Sequence, residues 1–172
     1  FHSYYPPHIQ LIPDFFSAKL VEARFPGKKA KVVTSFSMFY DLEKPMDFVR
    51  EIASVLDAEG IWVFEQSYMP AMLDMNSYDT ACHEHLEYYA LRQVKWMADR
   101  AGFVLLDIEF NDINGGSFSV TVGKAGRGEP SPQVAEVLAD EARRGLDTLE
   151  PYVRFAARVA DLREQLRGFC AR

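Results

Sequence analysis

The densest run of chemically capable side chains in the sequence is Cys82-His83-Glu84-His85-Leu86-Glu87-Tyr88-Tyr89, where two histidines flank a carboxylate and two tyrosines follow. Imidazole is the side chain best matched to proton transfer near neutral pH, a neighbouring carboxylate can fix its tautomer, and a phenol can donate to an oxyanion. Removing a proton from a carbon beside a ketone needs that set. His and Glu are also common on surfaces, so the residues alone leave open a solvated, polar helix start without chemistry. Cys82, His83 and His85 are zinc-ligand types. Adjacent residues rarely all point at one ion, however, and no second ligand pair stands at the usual spacing, so no metal is expected.

Three other stretches carry a bland and a sharper reading. Asn114-Gly115-Gly116-Ser117 reads first as a hairpin turn in which Gly supplies positive φ, and second as a close backbone approach to a ligand. Asp14-Phe15-Phe16 reads as a helix N-cap followed by core aromatics, or as a carboxylate and a ring bracketing an adenine. Met69, Met72 and Met75, spaced by three, read as packing.

The elements that must position these residues are legible from periodicity. His8–Phe16 reads as a short strand, followed by a weak helix to Arg24 and a turn at Pro26-Gly27-Lys28-Lys29. Ala30–Ser37, with Val32-Val33-Thr34 at its centre, has the pattern of a fully buried parallel strand. Pro45 opens a helix whose apolar face is Phe48, Ile52, Val55 and Leu56, with Gly60 suited to its exit. Ile61–Gln66 is the next strand, and strand-helix-strand over residues 30–66 is a βαβ unit with parallel strands. Residues 67–90 show no strong periodicity. A helix over Leu91–Ala101, closed by Gly102, leads to a strand at Phe103–Phe110. A final strand follows, in which Phe118, Val120 and Val122 alternate with polar residues; the short connection makes this pair antiparallel. Gly126–Pro132 is a linker, and residues 132–171 read as helical, with Val134, Val137, Leu138 and Glu141 in one stretch and Pro151 dividing it from a second. In open parallel sheets ligands bind beyond the carboxyl ends of the strands. Asp14, Ser37–Asp41, Ser67–Pro70 and the polar segment 76–89 therefore converge on one rim.

The 172 residues are 48% hydrophobic and 26% charged, a globular composition, and the net charge of −6 with no basic cluster speaks against nucleic acid. Cys82 and Cys170 are too few and too unlike in context for a disulfide framework, which points to a reducing, cytoplasmic setting. No apolar run approaches the roughly 20 residues that span a bilayer. Phe1–Pro7 has neither the basic start nor the apolar core of a signal peptide, and the chain reads as a segment of a longer protein.

Taken together, Tyr5–Ala18, Ser35–Glu43, Cys82–Tyr89 and Asn114–Phe118 resemble the sugar C-methyltransferases that act on nucleotide-linked 4-keto-6-deoxyhexoses. The resemblance runs over about residues 4–124, and residues 125–172 resemble the lead-in to that family's C-terminal domain. It implies an α/β, Rossmann-like class I methyltransferase sheet, mostly parallel with a terminal antiparallel hairpin, of which this chain holds the C-terminal half followed by helices. The implied division is a partial methyltransferase domain over 1–124 and a linker with the helical start of a C-terminal domain over 125–172. The implied cofactor is S-adenosyl-L-methionine and the implied partner a small-molecule nucleotide-linked sugar, with no nucleic acid and no membrane. The family's Glu-His pair falls on Glu84 and His85, with His85 as general base and Glu84 as its orienter or a sugar contact; His83 and Tyr88 complete the catalytic set. Tyr68, Tyr89, Asn114, Gly115 and Ser117 are the implied substrate residues, Asp14 and Phe15 the adenosine contacts, and Ser35 and Ser37 lie along the cofactor's methionine part. Three departures stand out: no Gly-rich cofactor loop and no cysteine-rich zinc domain are present, Ser119 occupies a position where an Arg is expected, and Tyr40-Asp41 stands where some members have a His. An O- or N-methyltransferase, or a noncatalytic domain of the same fold, are the competing readings.

Overall fold

The computed structural model describes residues 4–172; Phe1, His2 and Ser3, part of the stretch read as no signal peptide, lie outside the described residues. The chain is α/β, with α1 (Ala18–Arg24), β1 (Ala30–Phe36), α2 (Pro45–Val55), β2 (Leu56–Ser67), α3 (Met69–Met75), α4 (Leu91–Arg100), β3 (Phe103–Asn111), β4 (Ser117–Lys124), α5 (Pro132–Arg143) and α6 (Glu150–Cys170). The four strands form one sheet in the order β1-β2-β4-β3. β1 and β2 are parallel, as the βαβ reading requires, and β4 runs antiparallel to both of its neighbours. The last strand therefore slots between β2 and β3, and the carboxyl ends of β1, β2 and β3 meet its beginning along one rim.

Apolar side chains at alternate positions of β2 and β4 (Trp62, Phe64, Phe118, Val120, Val122) face α2 and α4, whose Val49, Ile52, Leu91, Val94 and Met97 close the core. α1 is capped by Ser17, whose Oγ accepts from Leu20 N at 3.4 Å. Pro45 sits in the first turn of α2 and Pro151 in the first turn of α6, so the second proline divides the two C-terminal helices as expected. Among the described residues no helix is long and apolar enough to cross a membrane.

Three expectations are corrected, and one stretch that carried no assignment is resolved. His8–Phe16 forms no strand: its amides close local turns, Ile9 N onto Pro6 O and Asp14 N onto Ile12 O, and Pro6, Pro7 and Pro13 offer no ladder donor. β1 is a strand but not a buried one, because helices cover one of its faces only; Val32 and Phe36, on the other, are 58% and 55% exposed. Gly60 does not end α2, which turns into extended backbone at Leu56; Gly60 lies inside β2 beside a break in register, where a Cβ would sit 2.8 Å from Ala30 O. The aperiodic stretch after β2 contains α3, only seven residues long, with Pro70 in its first turn and Asn76 in the left-handed conformation at its end.

Candidate active site

The rim is stitched together by backbone hydrogen bonds. After β1, a 3₁₀ turn at Phe39–Asp41 presents the Tyr40 carbonyl, which accepts from Leu86 N at 3.0 Å and Glu87 N at 3.1 Å. At the end of β2, Tyr68 N donates to Gly116 O at 3.0 Å and Met69 N to Tyr89 O at 2.9 Å. The turn after β1, the end of β2, the His85 segment and the glycine turn before β4 thus form one connected edge. Within it the His85 ring lies over Tyr40 with centroids 4.3 Å apart, and Tyr88 approaches edge-on at 6.3 Å. His85 is half-buried, whereas His83 projects into solvent with its side chain 91% exposed.

The expected pairing within the motif is not what the fold builds. Glu84 is exposed and its carboxylate lies 3.9 Å from His83; among the described residues no ion pair joins it to His85. A turn at His83-Glu84 breaks the two-residue alternation that would put both histidines on one side, so His83 faces solvent while His85 faces Tyr40. The aromatic ring of Tyr40 is what seats His85. Composition singled out the histidines and passed over Tyr40, although it lies in the segment directly after β1. Among the described residues no group of three or more His, Cys, Asp and Glu side chains is placed to hold a metal.

Several other expected site residues have their polar atoms engaged within the protein. Ser35 Oγ accepts from Trp62 Nε1 at 3.0 Å, which ties it to the core. Ser117 Oγ donates to Ile113 O at 2.9 Å, inside the turn. Tyr68 is buried between Phe110 and Phe118 and its hydroxyl donates to Glu141 Oε1 at 2.8 Å. Tyr89 is buried against Phe39, and its hydroxyl has no hydrogen-bond partner among the described residues. Ser37 stands at the rim in the left-handed region, φ 51°, a conformation L-residues adopt at a cost and one that concentrates at working sites. Asp14 and Phe15 lie along a shallow hollow with Ile12 and Leu20; Asp14 Oδ1 accepts from Phe15 N at 2.8 Å and the Phe15 ring is 93% exposed. A larger groove, about 720 Å³, runs from Glu87 and Tyr89 along α4; of its cations Lys95 pairs with Asp99 at 2.7 Å and Arg92 with Asp147 at 3.4 Å, while Arg100 lies over the Trp96 ring at 3.7 Å.

The glycine turn is a structural necessity. Asn114 and Gly115 have φ 52° and 80°, Gly116 has φ 113°, and a Cβ on Gly116 would meet Ala71 Cβ at 2.5 Å. Gly116→Ala is therefore expected to destabilise the protein by about 2–5 kcal/mol, backbone strain and overpacking adding, as a lower urea midpoint at unchanged m-value.

The tyrosines of the rim are held neutral. Burial pushes the Tyr40 and Tyr88 phenols up, opposed at Tyr40 by a hydrogen bond with Ser37. Burial raises Tyr68 and Tyr89 much further, with the negative charge of Glu141 adding at Tyr68 and that of Glu87 at Tyr89. The folded chain keeps protons that an unfolded chain releases near the ordinary value of 10.0, so stability is level below that pH and falls as pH rises above it. Urea midpoints measured across pH 8 to 11 should fall only above about pH 9.5, and Tyr68→Phe should flatten that fall.

Residues 5–108 match the family model described as a methyltransferase domain, and residues 112–172 match the one described as a C-methyltransferase C-terminal domain. The C-methyltransferase NovU of Streptomyces niveus is 29% identical over 162 residues, covering 92% of this chain and 38% of that protein, so the chain spans well under half the length of this curated relative. Among solved structures, the magnesium protoporphyrin IX methyltransferase ChlM of Synechocystis, with bound SAH, matches 58% of this chain and 47% of its own at 10% identity, with a TM-score of 0.46. The N-methyltransferase NodS of Bradyrhizobium japonicum matches 57% of this chain and 52% of its own at 9% identity, with a TM-score of 0.43. With the methyltransferase-domain model matching more than half of its residues, the chain belongs to the methyltransferase domain family.

Proposed function

We propose that this chain carries the proton-abstracting part of an S-adenosyl-L-methionine-dependent C-methyltransferase that methylates the carbon beside the ketone of a nucleotide-linked 4-keto-deoxysugar. The observation that carries the reading is the seat of His85: a half-buried imidazole at the sheet rim, over Tyr40, in a segment pinned by two amides to the Tyr40 carbonyl. A base that must meet a carbon acid needs a fixed ring at an accessible edge. Carbon as the acceptor is supported by the C-methyltransferase C-terminal domain match over 112–172 and by the similarity to NovU, described as a C-methyltransferase. The sugar is supported by the resemblance of the His-Glu-His and Asn-Gly-Gly-Ser motifs. Residues 1–124 then belong to the methyltransferase domain, and 125–172 form the linker and helical start of a C-terminal domain.

The residues present fit the adenosine end of the cofactor in part. An exposed carboxylate and aromatic ring lie side by side at Asp14 and Phe15, while Ser35 Oγ already accepts from Trp62. When bound, S-adenosyl-L-methionine supplies an electrophilic methyl group. The chain's own contribution is to take the proton from the carbon onto His85, leaving an enolate as the nucleophile. The Tyr88 hydroxyl donates to Thr80 O at a long 3.3 Å, and exchanging that bond for one to the enolate oxygen would make it the oxyanion donor. Glu84, exposed and not paired with His85, is a candidate for contact with a sugar hydroxyl, and the exposed His83 takes no part in the reaction. Asn114, at the exposed tip of the glycine turn, is the remaining polar candidate on the substrate side.

The test is an assay of the complete gene product with S-adenosyl-L-methionine and a nucleotide-linked 4-keto-6-deoxyhexose. The expected product gains one methyl on carbon, read by mass spectrometry and by carbon-proton correlation in NMR. A methyl found on oxygen or nitrogen would reject carbon as the acceptor, and no transfer to any such sugar would reject the substrate class.

A further inference from the structure

Glu141 is a carboxylate 1% exposed that none of the chemistry above uses. It projects from α5, in the region matching the C-terminal domain model, into the methyltransferase-domain region. Its Oε1 accepts from Leu91 N at 2.7 Å and from the Tyr68 hydroxyl at 2.8 Å, and its Oε2 accepts from Arg92 N at 2.9 Å. Leu91 and Arg92 open α4, and the first amides of a helix have no partner within it. The residue that would ordinarily cap them is Ala90, which has no side-chain acceptor. Glu141 therefore caps α4 from 50 residues away in sequence, and its negative charge meets the positive end of the helix dipole.

The placement matters because α4 begins where the His85 segment ends. That segment is held at one end by Leu86 N and Glu87 N on the Tyr40 carbonyl. At the other end, Leu91 and Arg92 are held by Glu141. Between them Tyr89 O accepts from Met69 N, and Tyr68, next to Met69, is tied by its hydroxyl to the same carboxylate. At the far end of α5, Arg144 bonds Asp74 of α3 at 2.6 Å and Pro70 O at 3.2 Å, so the helix grips both elements that frame the segment. A buried carboxylate is a costly way to fill space; apolar packing would serve stability as well or better. We infer that Glu141 is a positioning residue: through Leu91, Arg92 and Tyr68 it fixes the exit of the His85 segment, so the geometry of the base depends on α5. The inference rests on His85 being the base for its catalytic consequence, and on geometry alone for its structural one.

The experiment uses the complete gene product with Glu141→Ala and Glu141→Gln. Gln can still accept from the Tyr68 hydroxyl and Leu91 N, but it sets an amide NH₂ against Arg92 N. Two readouts are taken: hydrogen exchange of the amides over residues 86–92, and the split between kcat and KM for methyl transfer. Expected is exchange at Leu91 and Arg92 faster by about tenfold or more in Glu141→Ala. With it kcat falls by about ten- to a hundredfold. The KM for S-adenosyl-L-methionine stays within about twofold, and Glu141→Gln lies between wild type and Ala in both readouts. Should Glu141→Ala fail to fold, the Gln variant carries the same comparison. Unchanged exchange over 86–92, or a fall in rate that only follows the fraction of folded protein, would overturn the inference. If His85→Asn proves fully active, the assignment of the base fails, while the exchange readout still decides whether Glu141 positions the segment.

Discussion

Replacing His85 with Asn should lower the rate of methyl transfer by about 10²- to 10⁴-fold, the usual worth of a positioned general base. Asn is smaller but keeps a polar planar group, and the segment's anchors are backbone amides on the Tyr40 carbonyl, which the substitution does not touch. The fold and the binding of both substrates should therefore survive, so the loss falls on kcat and not on KM. His83→Asn is the internal control. Its side chain is exposed and its ionic neighbour Glu84 is 3.9 Å away in solvent, so the rate should change by less than about threefold. Initial rates of the two variants, measured side by side with the complete gene product, separate a specific base from a generally cationic loop.

Trp62→Ala should cost about 3–5 kcal/mol, the range for truncating a large buried aromatic, against total stabilities of about 5–15 kcal/mol. Trp62 is the hub of the aromatic core. It stacks on Phe64 at 4.2 Å and meets Phe39 at 5.8 Å, Phe48 at 6.0 Å and Phe103 at 6.1 Å. Its indole N–H also satisfies Ser35 across the β1–β2 pair. Truncation leaves a cavity under four rings and an unpaired hydroxyl. Because Phe39 begins the turn that carries Tyr40, the damage should reach the seat of His85. Trp62→Phe keeps most of the apolar area and loses the hydrogen bond, so it should cost about 1–2 kcal/mol. Urea midpoints of the two variants test the ordering.

The parts of the fold that were legible are those with a clean period. In the α2 stripe Ile52 and Val55 are buried and Phe48 half-buried, Val49 being the core residue it left out, and the alternating Phe118, Val120 and Val122 are all buried. What misled was residue type without context. Val32-Val33-Thr34 looks the same whether a strand is covered on two faces or one, and only the sheet as built shows Val32 in the open. His8–Phe16 has strand-like residues but no ladder partner beside it, and a strand without pairing is no strand. The seven-residue α3 is too short to display a period.

The site divides in the same way. The His-Glu-His run stood out because such residues are scarce, and the rim rule put it beside the strand ends. Which histidine turns inward depends on the backbone path past Tyr40, and no spacing argument reaches that. The hydroxyls of Ser35, Ser117 and Tyr68 looked available because their partners are distant in sequence or invisible to a pattern: Trp62, the Ile113 carbonyl and Glu141. Glu141 did leave a trace, as a carboxylate in the apolar register of Val134, Val137 and Leu138. A charge at a core position announces a buried partner without naming it.

The most direct test of the account asks whether this protein removes a proton from carbon at all. The complete gene product is incubated with a nucleotide-linked 4-keto-6-deoxyhexose in D2O, and the signal of the proton on the carbon beside the ketone is followed by NMR against a protein-free control. The account predicts enzyme-dependent loss of that signal, replacement by deuterium at one carbon, and disappearance of the effect in His85→Asn. Methyl transfer without deuterium wash-in, or wash-in that persists undiminished in His85→Asn, would contradict it.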